Sequence, residues 1–245
     1  GRKRVKRSGI SWMKSLRTKR NKSKKVLVVA PHMDDEVLGA GGTIARHCAA
    51  GDRVFVCIIA HRVYDHVYNT RANKGEQRAT EKARRILGYE ETVFFNLPDE
   101  RLDGCIQDIL IPLETYYNKI KPDVLYVNFY GDNNQDHRAV FSAVRIVIRS
   151  AASHKVPSVY MYEVPSSTDQ SPPIEEARFI PQYYVRMERF FWQKKKEAFN
   201  CYAREKRLMP HPRSTPALKA LAVRRGVESG FPMAEAFMVL RDQWE

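Results

Sequence analysis

At 245 residues and 43% apolar composition, the chain can build one sizeable core, and no run in it approaches the ~20 apolar residues of a membrane span. The formal charge of +14 is concentrated, because residues 1–25 hold twelve Lys or Arg and no acid while the rest carries 30 basic against 28 acidic residues. A near-neutral body excludes a basic nucleic-acid-binding surface spread over the whole molecule, so no nucleic-acid partner is expected.

Residues 1–24 read as a basic arm or linker, either a solvated tail or a contact to acidic lipid or a partner, and residues 25–245 as a single domain. Cys48, Cys57, Cys105 and Cys201 are scattered without CxxC pairing. They read as free, mostly buried thiols of a reducing compartment, and with no signal-peptide-like apolar core a cytoplasmic location is expected. The oligomeric state stays open, a homo-oligomer included.

In chain order, "KKVLVVA" (24–30) is a continuous Val-rich run, the pattern of a strand buried on both faces of a parallel sheet. "DEVLGAGGTIARHCAAGD" follows with helical spacing at Val37, Leu38, Ile44 and Ala45 and ends at Gly51. "RVFVCIIA" (53–60) is a second strand, which completes a βαβ unit. A helix over 73–90 capped by Gly88, a strand "TVFFNL", a helix "IQDILIPLETYYNKIK" and a strand over 122–130 continue the alternation. A helix over 136–152 and a strand over 158–164 close it. Residues 165–182, rich in Pro and Ser, read as a long functional loop. Helices are expected over 184–207, 216–229 and 233–241. The expected fold is α/β, a Rossmann-like three-layer sandwich with a mostly parallel sheet and C-terminal helical additions.

In open α/β sheets, functional groups gather beyond the carboxyl ends of strands. "PHMDDE" (31–36) stands beyond the first strand and "GDNNQDHRAV" (131–140) beyond the fourth. A hydrolytic zinc centre needs three N or O ligands and an open position for water. His32 and Asp35 supply two of them, and His137 is the natural third, for one ion per chain. The same donors accept other divalent metals. Asp34 then stays free as a carboxylate that can take a proton from the attacking water and return it to the leaving amine. The competing reading makes the Asp pair a helix cap favoured by the helix dipole. A second Asp–His pair at a neighbouring strand end favours the metal. The glycines of "GAGGT" follow the acidic motif rather than the strand, so they read as permitting close packing or substrate approach, and no nucleotide cofactor is expected.

"APHMDDEVLGAGGT" resembles the PHxDDE signature of the LmbE/PIG-L family of zinc-dependent N-acetylglucosaminyl deacetylases. "QRATEKARRILG", "NLPDERL", "NNQDHRAV" and "GFPMAEAF" resemble further family segments, the last one its C-terminal helix, so that the likeness runs through most of 25–241. The resemblance implies His32, Asp35 and His137 as zinc ligands, Asp34 as general base, and Asp136 as an orienting residue beside the last ligand. It also implies that Arg78 and Asp99 contact or frame a sugar, although an ion pair of Arg78 with Glu81 fits equally well. Many members carry His where Asn134 stands; Asn can only hydrogen-bond without charge. Asp34 then acts as both base and acid, or one of His61, His66 and His211 enters the site.

The function implied is removal of an acetyl group from an N-acetylated amino sugar, as a glycan precursor, nucleotide sugar or glycoconjugate. The alternatives are an amidase on another small amide, such as a thiol conjugate or acyl-antibiotic, and a non-catalytic module recruited by its basic arm.

Overall fold

The structure is a computed structural model that describes residues 22–64 and 66–244. Most of the basic arm expected over 1–24 therefore lies outside the described residues. The strands are β1 (Lys25–Ala30), β2 (Arg53–His61), the short pair β3 (Val63–Tyr64) and β4 (Val67–Tyr68), β5 (Glu91–Pro98), β6 (Val124–Asn128), β7 (Ser158–Tyr162), β8 (Tyr183–Arg186) and β9 (Ala234–Asp242). The helices are α1 (Asp35–Ala50), α2 (Thr70–Leu87), α3 (Ile106–Ile120), α4 (Gln135–Val147), α5 (Arg189–Phe199) and α6 (Thr215–Ser229).

Seven strands form one sheet in the order β5-β2-β1-β6-β7-β9-β8. The first five are parallel, and β9 pairs antiparallel with both β7 and β8. Because side chains alternate across a strand, β1 divides its residues between two cores. Val26, Val28 and Ala30 face a layer that includes Val37, Leu38, Phe191 and Trp192, whereas Leu27 and Val29 face Ile109, Leu113, Val140 and Val144. This makes the three layers: α1, α2 and α5 on one face, α3 and α4 on the other.

The chain runs outward from β1 to β2 and β5 and then returns to place β6 on the opposite side of β1. The strand order reverses there, which opens a crevice between the carboxyl ends of β1 and β6. "PHMDDE" and "GDNNQDH" both emerge at that crevice.

Helix α1 starts at this point and is pressed against the sheet. A Cβ on Gly39 would overlap the Tyr162 ring, and one on Gly42 would lie 2.5 Å from Met187 Sδ. The glycines thus serve close packing, one of the two roles expected of them. The helix is also kinked at Ala40 (φ −137°). The amides of Gly42 and Thr43 donate to the buried Glu235 carboxylate, which in turn holds Lys195 Nζ at 2.6 Å.

Two expectations are corrected here. Residues 233–241 were expected to be helical, yet β9 occupies Ala234–Asp242, and the segment expected as a helix from 184 opens with β8. The run Ala234–Phe237 is buried on both sides, so it shows no alternation, and Ala, Glu and Met are good helix formers. Pairing between β7 and β8 outweighs that local preference. Of the cysteines, only Cys57 is buried; Cys105 is exposed, and all four are free thiols.

Candidate metal centre

Strand β1 ends at Ala30, and the next residues turn into α1 with Asp34 as the N-cap position. Asp34 has φ 116°, ψ −29°, a backbone conformation that costs an L-residue of order 1–3 kcal/mol. Its amide donates to Glu36 Oε2 at 3.1 Å, and Glu36 Oε1 accepts the Tyr202 hydroxyl at 2.6 Å. Glu36, expected from the sequence only as a structural or supporting residue, therefore holds the strained turn in place from within the core. The Asp34 side chain makes no cap bond, which sets aside the capping reading for that residue.

His32, Asp35 and His137 converge. Asp35 Oδ2 lies 3.2 Å from His32 Nδ1 and 3.1 Å from His137 Nε2, and the two imidazole nitrogens are 3.2 Å apart. All three residues are at most 2% exposed. Tetrahedral zinc with N and O ligands at 2.0–2.2 Å keeps neighbouring ligand atoms about 3.3–3.6 Å apart, so this triangle matches within a few tenths of an ångström. Asp34 Oδ1 and Asp35 Oδ1 are buried with no hydrogen-bond partner among the described residues. Buried polar atoms are rarely left so unless something is bound there. The donor set fits a divalent ion.

Acids stand behind both imidazoles. His32 Nε2 faces Asp99 Oδ1 at 2.8 Å and Asp136 Oδ2 at 3.2 Å. Those carboxylates are already engaged by main chain: Asp136 accepts the amides of Glu100 and Leu102, and Asp99 accepts those of Val63 and Glu100. They complete a second possible donor group with His32, but their filled geometry suits them to orienting the ring. His137 Nδ1 lies 3.1 Å from Asp132 Oδ2, near enough for charge pairing although the angle does not make a hydrogen bond. Asp132 also accepts from Asn134 N and from Thr168 Oγ1, which ties β6's end to the long loop.

The electrostatics follow. Burial alone would lower the His32 and His137 pKa values. For His32 the hydrogen bonds to Asp136, Asp35 and Asp99 outweigh burial, and for His137 the charges of Asp35 and Asp132 do so and raise it to about 9. Burial works to raise Asp35, but the two imidazoles hold it well below the usual carboxylate range. Asp34 goes the other way: burial pushes it up to about 8, against the pull of Arg213 and Arg62.

Arg213 and Arg62 belong to a charge network that sequence reasoning missed. Arg213 Nη1 lies 2.9 Å from Asp34 Oδ2 and 2.7 Å from Glu205 Oε2, and Arg213 Nε donates to Ser166 Oγ at 2.7 Å. Arg62 Nη2 meets Glu205 Oε2 at 2.9 Å. Arg62 directly follows the end of β2, so the strand-end rule that found His32 could have found it. Arg213 sits in "MPHPRS", where no local pattern marks it.

The remaining expectations divide. Asp136 and Asp99 are both at the centre, and each faces His32 Nε2. Asn134 caps α4, with Oδ1 accepting Asp136 N at 2.8 Å. Arg78 is exposed on α2, away from the cluster, and Glu81 pairs with Arg84 and Arg85 instead. His61 meets Tyr68 edge to face, His66 pairs with Glu100, and His211 accepts the Arg213 amide; none of these contacts is with His32, Asp35 or His137.

A cavity of about 840 Å³ lies between the Pro-rich loop and α6, lined by residues such as Ile174, Phe179, Pro212 and Leu221. It does not contain the metal ligands. Pro165 and Thr168, which line it, separate it from the centre through their bonds to Arg213 and Asp132.

The PIG-L family, described as GlcNAc-PI de-N-acetylase, matches residues 27–148. A protein of Escherichia coli (strain K12) described as an uncharacterized deacetylase, YaiS, is 28% identical over 152 residues, which is 60% of this chain and 77% of that protein. Among solved structures, the 4-carboxy-2-hydroxymuconate hydratase GalB of Pseudomonas putida KT2440 superposes with a TM-score of 0.71 at 21% identity, over 91% of this chain and 98% of that one. N,N′-diacetylchitobiose deacetylase of Pyrococcus horikoshii superposes with a TM-score of 0.70 at 17% identity, over 89% of this chain and 84% of that one. The structural likenesses concern the fold, which here hosts two different reactions.

Proposed function

From the premise that this chain is a member of the LmbE/PIG-L family, we propose that it is a metal-dependent N-deacetylase that releases acetate from an N-acetylated amino sugar or glycoconjugate. The observation that carries this reading is the buried triangle of His32 Nδ1, Asp35 Oδ2 and His137 Nε2 with the separate carboxylate of Asp34 beside it. The family description and the acetylated substrate in the name of the chitobiose deacetylase support the choice of bond.

His32, Asp35 and His137 would hold the ion, with zinc the best match to the donors. When bound, a divalent ion supplies Lewis acidity that makes water nucleophilic near neutral pH and polarises the amide carbonyl. Asp34 does the proton work. It would accept a proton from the attacking water and deliver it to the nitrogen as the C–N bond breaks, and burial, which raises its pKa, suits it to hold that proton between the two transfers. The neutral Asn134 is committed to its cap, so one carboxylate carries both transfers. Asp99, Asp136 and Asp132 keep the two imidazoles turned to the centre. The loop 165–182, tied to the centre through Thr168 and Asp132, is where the rest of the substrate would be selected, and the basic arm remains a proposed contact to acidic lipid or a partner.

The likeness to the hydratase favours a second reading, in which the same centre adds water to a carbon–carbon double bond. One experiment separates them. Zinc-loaded protein is expected to release acetate from a panel of N-acetyl amino sugars, Asp34→Asn to lose about 10²–10⁴-fold in kcat while keeping its metal, and His137→Ala to lose the metal. A zinc-loaded wild type that releases no acetate but hydrates an unsaturated acid would establish the second reading instead.

A further inference from the structure

Asp34 and Asp35 are adjacent, both fully buried, and both within reach of the same centre. Two like residues at neighbouring positions take different roles only if something restrains one of them. Asp35 Oδ2 is fixed among the two imidazoles and the His32 amide, which donates to it at 3.0 Å. Asp34 Oδ2 is fixed by Arg213 Nη1 at 2.9 Å, and its other oxygen has no hydrogen-bond partner among the described residues. Resting on the hydrolase reading above, we propose that Arg213 is the positioning residue of the site: it pins Asp34 by Oδ2, keeps that carboxylate from joining the metal ligands, and leaves Oδ1 as the oxygen that exchanges the proton.

The guanidinium is built into its place from three sides. Nε donates to Ser166 Oγ, Nη1 is shared by Asp34 and Glu205, and Glu205 is itself held by Arg62. Acids and cations thus alternate along Asp34, Arg213, Glu205 and Arg62, so each buried charge has an opposite neighbour. A planar fork with fixed N–H directions can hold one oxygen of a carboxylate and leave the other open, which a flexible ammonium does less well. The charge comes from the segment just before α6, far from Asp34 in the chain. The same bonds join Asp34 to the start of the long loop through Ser166, so the base and the loop are set by a single side chain.

The test compares zinc-loaded wild type, R213Q, R213K and R213Q/E205Q for acetate release from N-acetylglucosamine and N,N′-diacetylchitobiose, with zinc affinity measured in parallel. Positioning predicts a kcat lower by about 10–100-fold in R213Q, with KM within twofold. Zinc should be bound as tightly as in wild type or more tightly, because a released Asp34 can add itself to the ligands. R213K should fall between, and added guanidinium should restore part of the R213Q rate. R213Q/E205Q, which removes one charge of each sign, keeps the balance of charge and guards against loss of folding; it should lose kcat like R213Q. Wild-type activity with R213Q or R213Q/E205Q within twofold of it in kcat overturns the inference alone, as does loss of zinc together with activity, which would mark a structural role. A zinc-loaded wild type that cleaves neither probe overturns the hydrolase reading and the inference with it.

Discussion

At the scale of single residues, the centre gathers two imidazoles and several buried carboxylates that a bound cation would stabilise. Two imidazole nitrogens 3.2 Å apart require a proton or a metal between them and the acids that flank them. This gives a pH prediction. In the metal-free protein, His137 is raised to about 9 from an ordinary value of 6.5. Its pairing with Asp35 and Asp132 therefore contributes stability that is fully present below about pH 6.5 and is lost as pH rises through about 9. Metal uptake has the opposite sign, because the ligand must give up its proton. Zinc affinity should rise from pH 6.5 to 9, with more protons released on binding at pH 7 than above pH 9, as measured by titration calorimetry in buffers of differing ionisation enthalpy. The convergence of His32, Asp35 and His137 was legible in the sequence because residue type and strand-end position are local. Arg213 was not, since its partner Asp34 is 179 residues away.

At the scale of elements, the kinked middle of α1 is held by contacts from the far end of the chain. Glu235 on β9 accepts the amides freed by the kink near Ala40, and Lys195 on α5 neutralises it while also donating to Leu38 O. Both residues are buried, so removing one partner is costly. Lys195→Met should destabilise the protein by about 3 kcal/mol, the low end for a broken buried pair because Glu235 keeps its main-chain donors. Thermal unfolding should then fall by roughly 6–12 °C in a chain of this size, and Lys195→Met with Glu235→Gln should recover most of the loss. The five parallel strands could be read from the sequence, since their apolar runs report burial, on both faces in β1, β2, β6 and β7 and partly in the edge strand β5. β9 could not: its residues favour a helix in isolation, and only the open edge of β7 makes them a strand.

At the scale of the whole molecule, that strand closes the architecture. β9 lies between β7 and β8, so a chain ending at residue 230 would lose β9, unpair β8 and leave β7 as a bare edge. Such a truncation should fail to give a cooperative thermal transition and should aggregate on expression, read by calorimetry and size-exclusion chromatography. By itself the sequence determined the α/β alternation, the crevice at the ends of β1 and β6, and the three candidate donors His32, Asp35 and His137, because periodicity, strand burial and donor chemistry are properties of short segments. Only the tertiary structure decided that Glu36 anchors Asp34 from the core, that Asp99 and Asp136 stand behind His32, that Arg78 stays outside, and that Arg213 reaches in. Those roles depend on distances between segments far apart in the chain, set by how the layers pack.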